Sequence, residues 1–231
     1  MKIFAVATSS AVASAAIVDG DKLLCEFTLN NGLTHSQTLM PMVKEVFEKS
    51  GLSVDDIDLF AVCEGPGSFT GLRIGITTVK GLSHAAKKPI AGVNTLEAMC
   101  YNLPFCPFVI SPIMDARRGE VYNGFYRMRD GKAEELCPPR AIPLTKCLEE
   151  IRQMGEKAVF LGDAVPVFKD VIENELKDLA IFAPQGANMQ RASSVAEAAK
   201  FKTPQKYSEL VPTYLRKSQA EREYEERGNE K

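Results

Sequence analysis

The residues whose types and spacing could do chemistry are Glu64-Gly65-Pro66-Gly67-Ser68-Phe69-Thr70-Gly71-Leu72-Arg73-Ile74-Gly75. Gly65, Gly67 and Gly71 leave backbone N–H groups accessible, Ser68 and Thr70 add hydroxyls, and Arg73 adds a cation. Placed at the start of a helix, with Phe69 beside it, such a set suits a phosphate or another anion. It is not a Walker A loop, because no Gly-Lys-Ser/Thr follows. It is not the dinucleotide fingerprint, because Thr70 stands where that pattern needs glycine. The competing reading is mechanical: glycine admits positive φ and lets a helix and a strand approach closely. The residues leave the two readings even.

No metal or nucleophile set accompanies the loop. The two histidines are His35 and His84, and a clamp of two on one helix would need a second one turn after His35, where Leu39 stands. The six cysteines contain no C-x-x-C pair and three lie in or beside apolar runs, as expected of reduced, mostly buried thiols in a cytosolic protein. No catalytic and no metal-ligating residue is therefore assigned. A net charge of −2 gives no global basic field for nucleic acid, and the chain has no Trp for a base-stacking platform. The apolar N-terminus is broken by Thr8-Ser9-Ser10 and reads as a strand rather than a signal peptide. No stretch is long enough to span a membrane.

The elements that must position the loop follow from periodicity. Strands are expected at 3–8, 14–18 and 23–29, then a helix over 36–49 in which Pro41 bends the chain or marks the start. A strand at 59–63, the loop, a helix at 71–87, a short strand at 89–93 and a helix from Thr95 complete the first set. Pro104 to Pro107 mark a boundary. Strands at 108–114, 120–127 and 132–137, a helix at 144–154, a strand at 158–162, a helix at 164–176, a strand at 180–183 and a helix at 190–201 then repeat the order. The chain thus reads as two βββαβαβα halves, 1–104 and 105–215, and a charged tail, 216–231. Two such halves describe an α/β fold of the actin-like ATPase type (ASKHA, ribonuclease H-like), with nucleotide in the cleft between them.

In that architecture the first turn of each half clasps phosphate. Here the first turn is Ala7-Thr8-Ser9-Ser10-Ala11, with Ala7 where a metal-organising Asp is expected. The second is Asp115-Ala116-Arg117-Arg118-Gly119, with two arginines where small residues would admit a phosphate. Asp115, Arg117 and Arg118 fit an ion-pair network better, internal or with a partner. Gly162-Asp163 is all that remains of an adenosine loop.

These strings, with His35-Ser36-Gln37, Asn94-Thr95-Leu96, Glu120-Val121-Tyr122 and Tyr214-Leu215-Arg216-Lys217-Ser218, resemble the bacterial TsaB (YeaZ) family over nearly the whole chain. The resemblance implies a non-catalytic subunit of the machinery that places threonylcarbamoyl on adenosine 37 of tRNA. It implies TsaD, which carries the metal-binding histidines and performs the transfer, and TsaE, a P-loop ATPase, as partners. It implies a homodimer when the chain is alone, contact with tRNA only through the complex, weak or no ATPase activity, and ATP or ADP only at the junction with TsaD. The helix over 36–49 is apolar on more than one face, so it and the helix at 71–87 are expected to meet TsaD or a second copy. His35, Leu39, Met40, Val43, Phe47 and Ile76 are the expected contacts, together with Asp115, Arg117 and Arg118. The rivals are an actin-like kinase or ATPase for a small molecule, and a metallopeptidase of the same superfamily.

Overall fold

A computed structural model describes residues 1–216. Of the expected tail only Arg216 is among them, and the remainder lies outside the described residues.

The first half begins with an antiparallel meander of β1 (Lys2–Ala7), β2 (Ala13–Asp19) and β3 (Lys22–Leu29). α1 (His35–Ser50) then leads to β4 (Leu59–Gly65), α2 (Phe69–Ala86), β5 (Ile90–Asn94) and α3 (Thr95–Cys100). Strands β4 and β5 join the meander in parallel, giving the order β3-β2-β1-β4-β5. The second half repeats this with β6 (Val109–Arg117), β7 (Glu120–Arg129), β8 (Lys132–Pro143), α4 (Leu144–Met154), β9 (Ala158–Leu161), α5 (Val165–Leu176) and β10 (Ala180–Phe182). It closes with a single turn, α6 (Gln185–Asn188), and α7 (Ala192–Ala199). Its sheet runs β10-β9-β6-β7-β8, which is the first order read from the other edge. The duplication expected from the sequence is therefore present strand for strand.

One strand departs from expectation, and one open alternative is decided. β8 continues to Pro143 instead of stopping near residue 137, through Pro138 and Pro139. It is an edge strand, where a residue without an N–H breaks no ladder on its open side. Pro41 lies inside α1 and does not start it. Pro41 and Gln37 are both exposed, so the carbonyl that loses its donor faces water.

Alternation along β1 sorts its side chains between two layers. Phe4 and Val6 face α1 and α2, where they join Leu39, Val43, Val46, Leu72, Ile76 and Val79. Ile3, Ala5 and Ala7 face a central layer that both halves share. In that layer α7 lies on β1 and β2 while α3 lies on β6 and β7, so each half covers the other. Small residues (Ala5, Ala7, Ala16, Ala192, Ala196, Ala199) permit the close approach. Asn94 caps α3 through bonds from the Leu96 and Glu97 N–H groups at 2.9 and 3.3 Å. The start of α7 is capped from the other half: Glu26 accepts from the Ser193 N–H at 2.9 Å and pairs with Arg191 at 2.5 Å. Among the described residues no helix is long and apolar enough to cross a membrane.

Candidate functional site: the glycine loop and the two first turns

β4 delivers Glu64 and Gly65 to the loop, the Gly65–Pro66 peptide is cis, and α2 starts at Phe69. The glycines are explained by what lies against them. A Cβ on Gly67 would fall 2.2 Å from the Ser9 carbonyl oxygen, and one on Gly71 2.1 Å from that of Thr8. A Cβ on Gly75 would meet Thr8 Oγ1 at 2.2 Å, and one on Gly65 the Thr213 carbonyl oxygen at 2.1 Å. Positive φ at Gly65 and Gly67 adds a second requirement for glycine there. Two of the loop's N–H donors are also used internally. The Ser68 N–H donates to Ser9 O at 2.8 Å, and Ser68 Oγ accepts from the Gly71 N–H at 3.2 Å, capping α2. Of the two readings of this loop, close packing accounts for its glycines.

What the loop packs on is the first turn. Thr8 and Ser9 are each 1% exposed and Ser10 is 6%. Thr8 Oγ1 donates to Gly71 O at 2.8 Å, and Ser10 Oγ to Gln190 Oε1 at 2.5 Å. His35 Nε2 lies 2.7 Å from Ser10 O, so this half-buried ring braces the turn from the start of α1. Beneath the turn, burial pushes the Cys63 thiol up to about 12, against the Ser9 and Thr95 hydroxyls beside it, as an inert core thiol requires.

The second turn is held by its own charges. Arg117, Arg118 and Gly119 are all left-handed, at φ 68°, 58° and 75°. Asp115 accepts from the Arg117 N–H at 2.7 Å and pairs with its guanidinium at 3.3 Å. Glu120 pairs with Arg216 at 2.5 Å, whose other nitrogen donates to Ala116 O. Asp115 and Arg117 thus satisfy each other within the chain, while Arg118 is exposed. Asp163 faces the same turn and accepts from the Asp115 N–H at 3.1 Å. Burial raises its carboxyl above the usual range; that N–H opposes the rise and the Asp115 charge adds to it.

The expected partner face needs correction. Leu39, Val43 and Ile76 are 1%, 3% and 4% exposed and fill the chain's own core. Phe47 stacks on Phe4 with centroids 5.1 Å apart. The extra apolar circumference of α1 is spent on the sheet and α2. Met40, 53% exposed, is the residue of that set left on the surface, with Leu33 near it in sequence at 55%.

Sequence reasoning gave no role to the segment from Leu210 to Arg216. It crosses back from the second half and lies over the loop. The Thr213 N–H donates to Glu64 O at 2.7 Å, and Tyr214 stacks on Phe69 with centroids 4.2 Å apart. The Arg73 guanidinium sits about 6 Å from both rings and Nε donates to the Tyr214 hydroxyl at 3.0 Å. Phe69 and Arg73 are thus engaged by this strap, while Thr70 stays exposed on the first turn of α2. The available signal was Tyr214-Leu215 standing just ahead of a charged tail.

A family model described as "TsaD: tRNA N6-adenosine threonylcarbamoyltransferase" matches residues 29–224. The chain is 33% identical to the "tRNA threonylcarbamoyladenosine biosynthesis protein TsaB" of Bacillus subtilis strain 168, over 96% of each. It is 30% identical to the protein of that description from Escherichia coli K12, over 82% of this chain and 84% of that one. The structure of YeaZ from Pseudomonas aeruginosa superposes with a TM-score of 0.76 at 21% identity, covering 93% and 99% of the two chains. The duplicated sheets have the actin-like arrangement.

Proposed function

The chain belongs to the TsaB family of tRNA threonylcarbamoyladenosine biosynthesis proteins, and from that premise we propose that it is a non-catalytic partner that binds and activates TsaD. One observation carries the reading: the turn that would clasp phosphate in an actin-like ATPase is buried under the chain's own glycine loop, with Ala7 where a carboxylate would organise metal. The cleft fold is kept and its first phosphate contact is occupied by protein. Such a molecule is suited to holding a partner in a competent shape rather than to turning over substrate.

TsaD is the partner in this reading because its family model describes most of this chain, and two copies of one fold can pair through like faces. Met40 on the outer side of α1 and Leu33 in the segment just before it would meet it, with Arg118 in reach of a carboxylate on the partner. TsaE joins the pair, a homodimer forms when TsaD is absent, and ATP or ADP binds at the junction rather than in the lone chain. The test is ATP turnover with Mg²⁺ by the purified chain. The reading expects weak turnover or none. Robust turnover that a second purification step leaves intact would make the chain a kinase or ATPase.

A further inference from the structure

A groove of about 730 Å³ lies between the C-terminal end of α2 and the chain segment over residues 204–209. We propose that this groove binds the phosphodiester backbone of RNA. The inference rests on the family's work on tRNA, and it departs from the expectation that the chain meets tRNA only through the complex.

Its walls come from distant parts of the chain and are fixed. Ile90 and Gln205 exchange two backbone hydrogen bonds, at 3.0 and 2.8 Å. Ser83 Oγ donates to Lys88 O at 2.6 Å, closing the turn in which Lys87 adopts φ 54° and ends α2. Across the groove the Tyr207 ring lies 4.5 Å from that of His84. The site is therefore formed before any ligand arrives.

Three lysines line it, Lys87, Lys88 and Lys206, against one carboxylate, Glu209. Glu209 is turned to the Lys206 backbone N–H at 3.1 Å. Neighbouring Lys200 and Lys202 pair with Glu197 and Glu97, but among the described residues none of the three groove lysines has an ion pair. A helix C-terminus attracts cations, which accounts for Lys87 and Lys88. It does not account for Lys206, which arrives from the other side, nor for the aromatic pair beside it. On a chain of net charge −2, this is a local positive focus that whole-chain composition hides.

The chemistry selects the ligand. Lysines act as mobile point charges on phosphate and impose no fork geometry, and three of them, drawn from both walls of an open groove, suit successive phosphates of a backbone. The groove is open to solvent, so a strand can lie along it, and the Tyr207 and His84 rings, in contact with each other, line it beside the lysines.

The test uses the full chain and an unmodified tRNA transcript, with binding read by fluorescence anisotropy across a series of KCl concentrations. Lys87→Glu/Lys88→Glu/Lys206→Glu is compared with Lys49→Glu/Lys146→Glu/Lys177→Glu, which changes the net charge equally on exposed residues elsewhere. The groove variant should bind at least about tenfold more weakly at low salt. Its log–log salt slope should be shallower by about 2, since each lost phosphate contact removes roughly 0.7–0.9. The control should change binding less than about threefold. Equal loss in the two variants, absence of saturable tRNA binding by the unaltered chain, or displacement of tRNA by stoichiometric ATP would each overturn the proposal. Thermal melts confirm that both variants fold. Capture of TsaD by the groove variant is measured in parallel, so that a failure of the TsaD reading is told apart from a failure of this one.

Discussion

Gly71 shows at the scale of one residue why the loop has its composition. Its missing Cβ leaves room for the Thr8 carbonyl, which would otherwise be 2.1 Å away, and backbone cannot yield as a long side chain can. Gly71→Ala should cost roughly 2–3 kcal/mol, a fall of several degrees in Tm for a chain of this size. Gly81 is the matched contrast. It lies in the same helix with nothing within 4 Å of its would-be Cβ, so Gly81→Ala should gain up to about 1 kcal/mol. Thermal melts of the two variants check both signs. If an anion, and not the Thr8 turn, were what the glycine at 71 serves, its replacement would leave the ligand-free protein's melt unchanged. The spacing of these glycines is plain in the sequence. Their reason is not, because it sits at Thr8 and Ser9, some sixty residues earlier, and at Thr213, far beyond.

Among the elements, strands and helices were legible wherever a short apolar run or a period of 3.6 stood out, as in β1 and α2. Periodicity assigns a helix its apolar faces but not what covers each. In α1 that ambiguity misplaced Leu39 and Val43, which the sheet and α2 cover, and Phe47, which is half-buried against Phe4, and left Met40 outside. The strap over 210–216 was illegible for another reason: it has no period, and its contacts are to Glu64 of β4 and Phe69 of α2. The corrected α1 makes a paired prediction. Met40→Asp should leave the melt within about 0.5 kcal/mol of the unaltered protein and weaken capture of TsaD at least tenfold. Leu39→Ala should lower stability by about 2–5 kcal/mol and act on capture only through folding. Co-purification beside a melt separates the two, and a Met40→Asp chain that still captures TsaD fully would move the interface off α1.

Across the whole molecule the duplication was readable because both halves carry the same order of elements, and the order of strands in each sheet follows from it. How the halves lock was not readable. Glu26 caps α7 from the opposite half, Ser10 of the first turn donates to Gln190 across the same seam, and Arg216 ties the strap to the β6–β7 turn. These are long-range contacts between short polar groups, and no local pattern announces them. Together they brace the two halves around a buried first turn, which supports the proposal that the chemistry belongs to a partner.

The most direct measurement is threonylcarbamoyl transfer to tRNA with TsaD and TsaE supplied and this chain left out, added, or added as Met40→Asp. The account predicts that transfer is slow without the chain, restored by the unaltered protein, and not restored by the variant. Transfer that proceeds equally well without the chain, or that the chain performs with TsaD omitted, would contradict it.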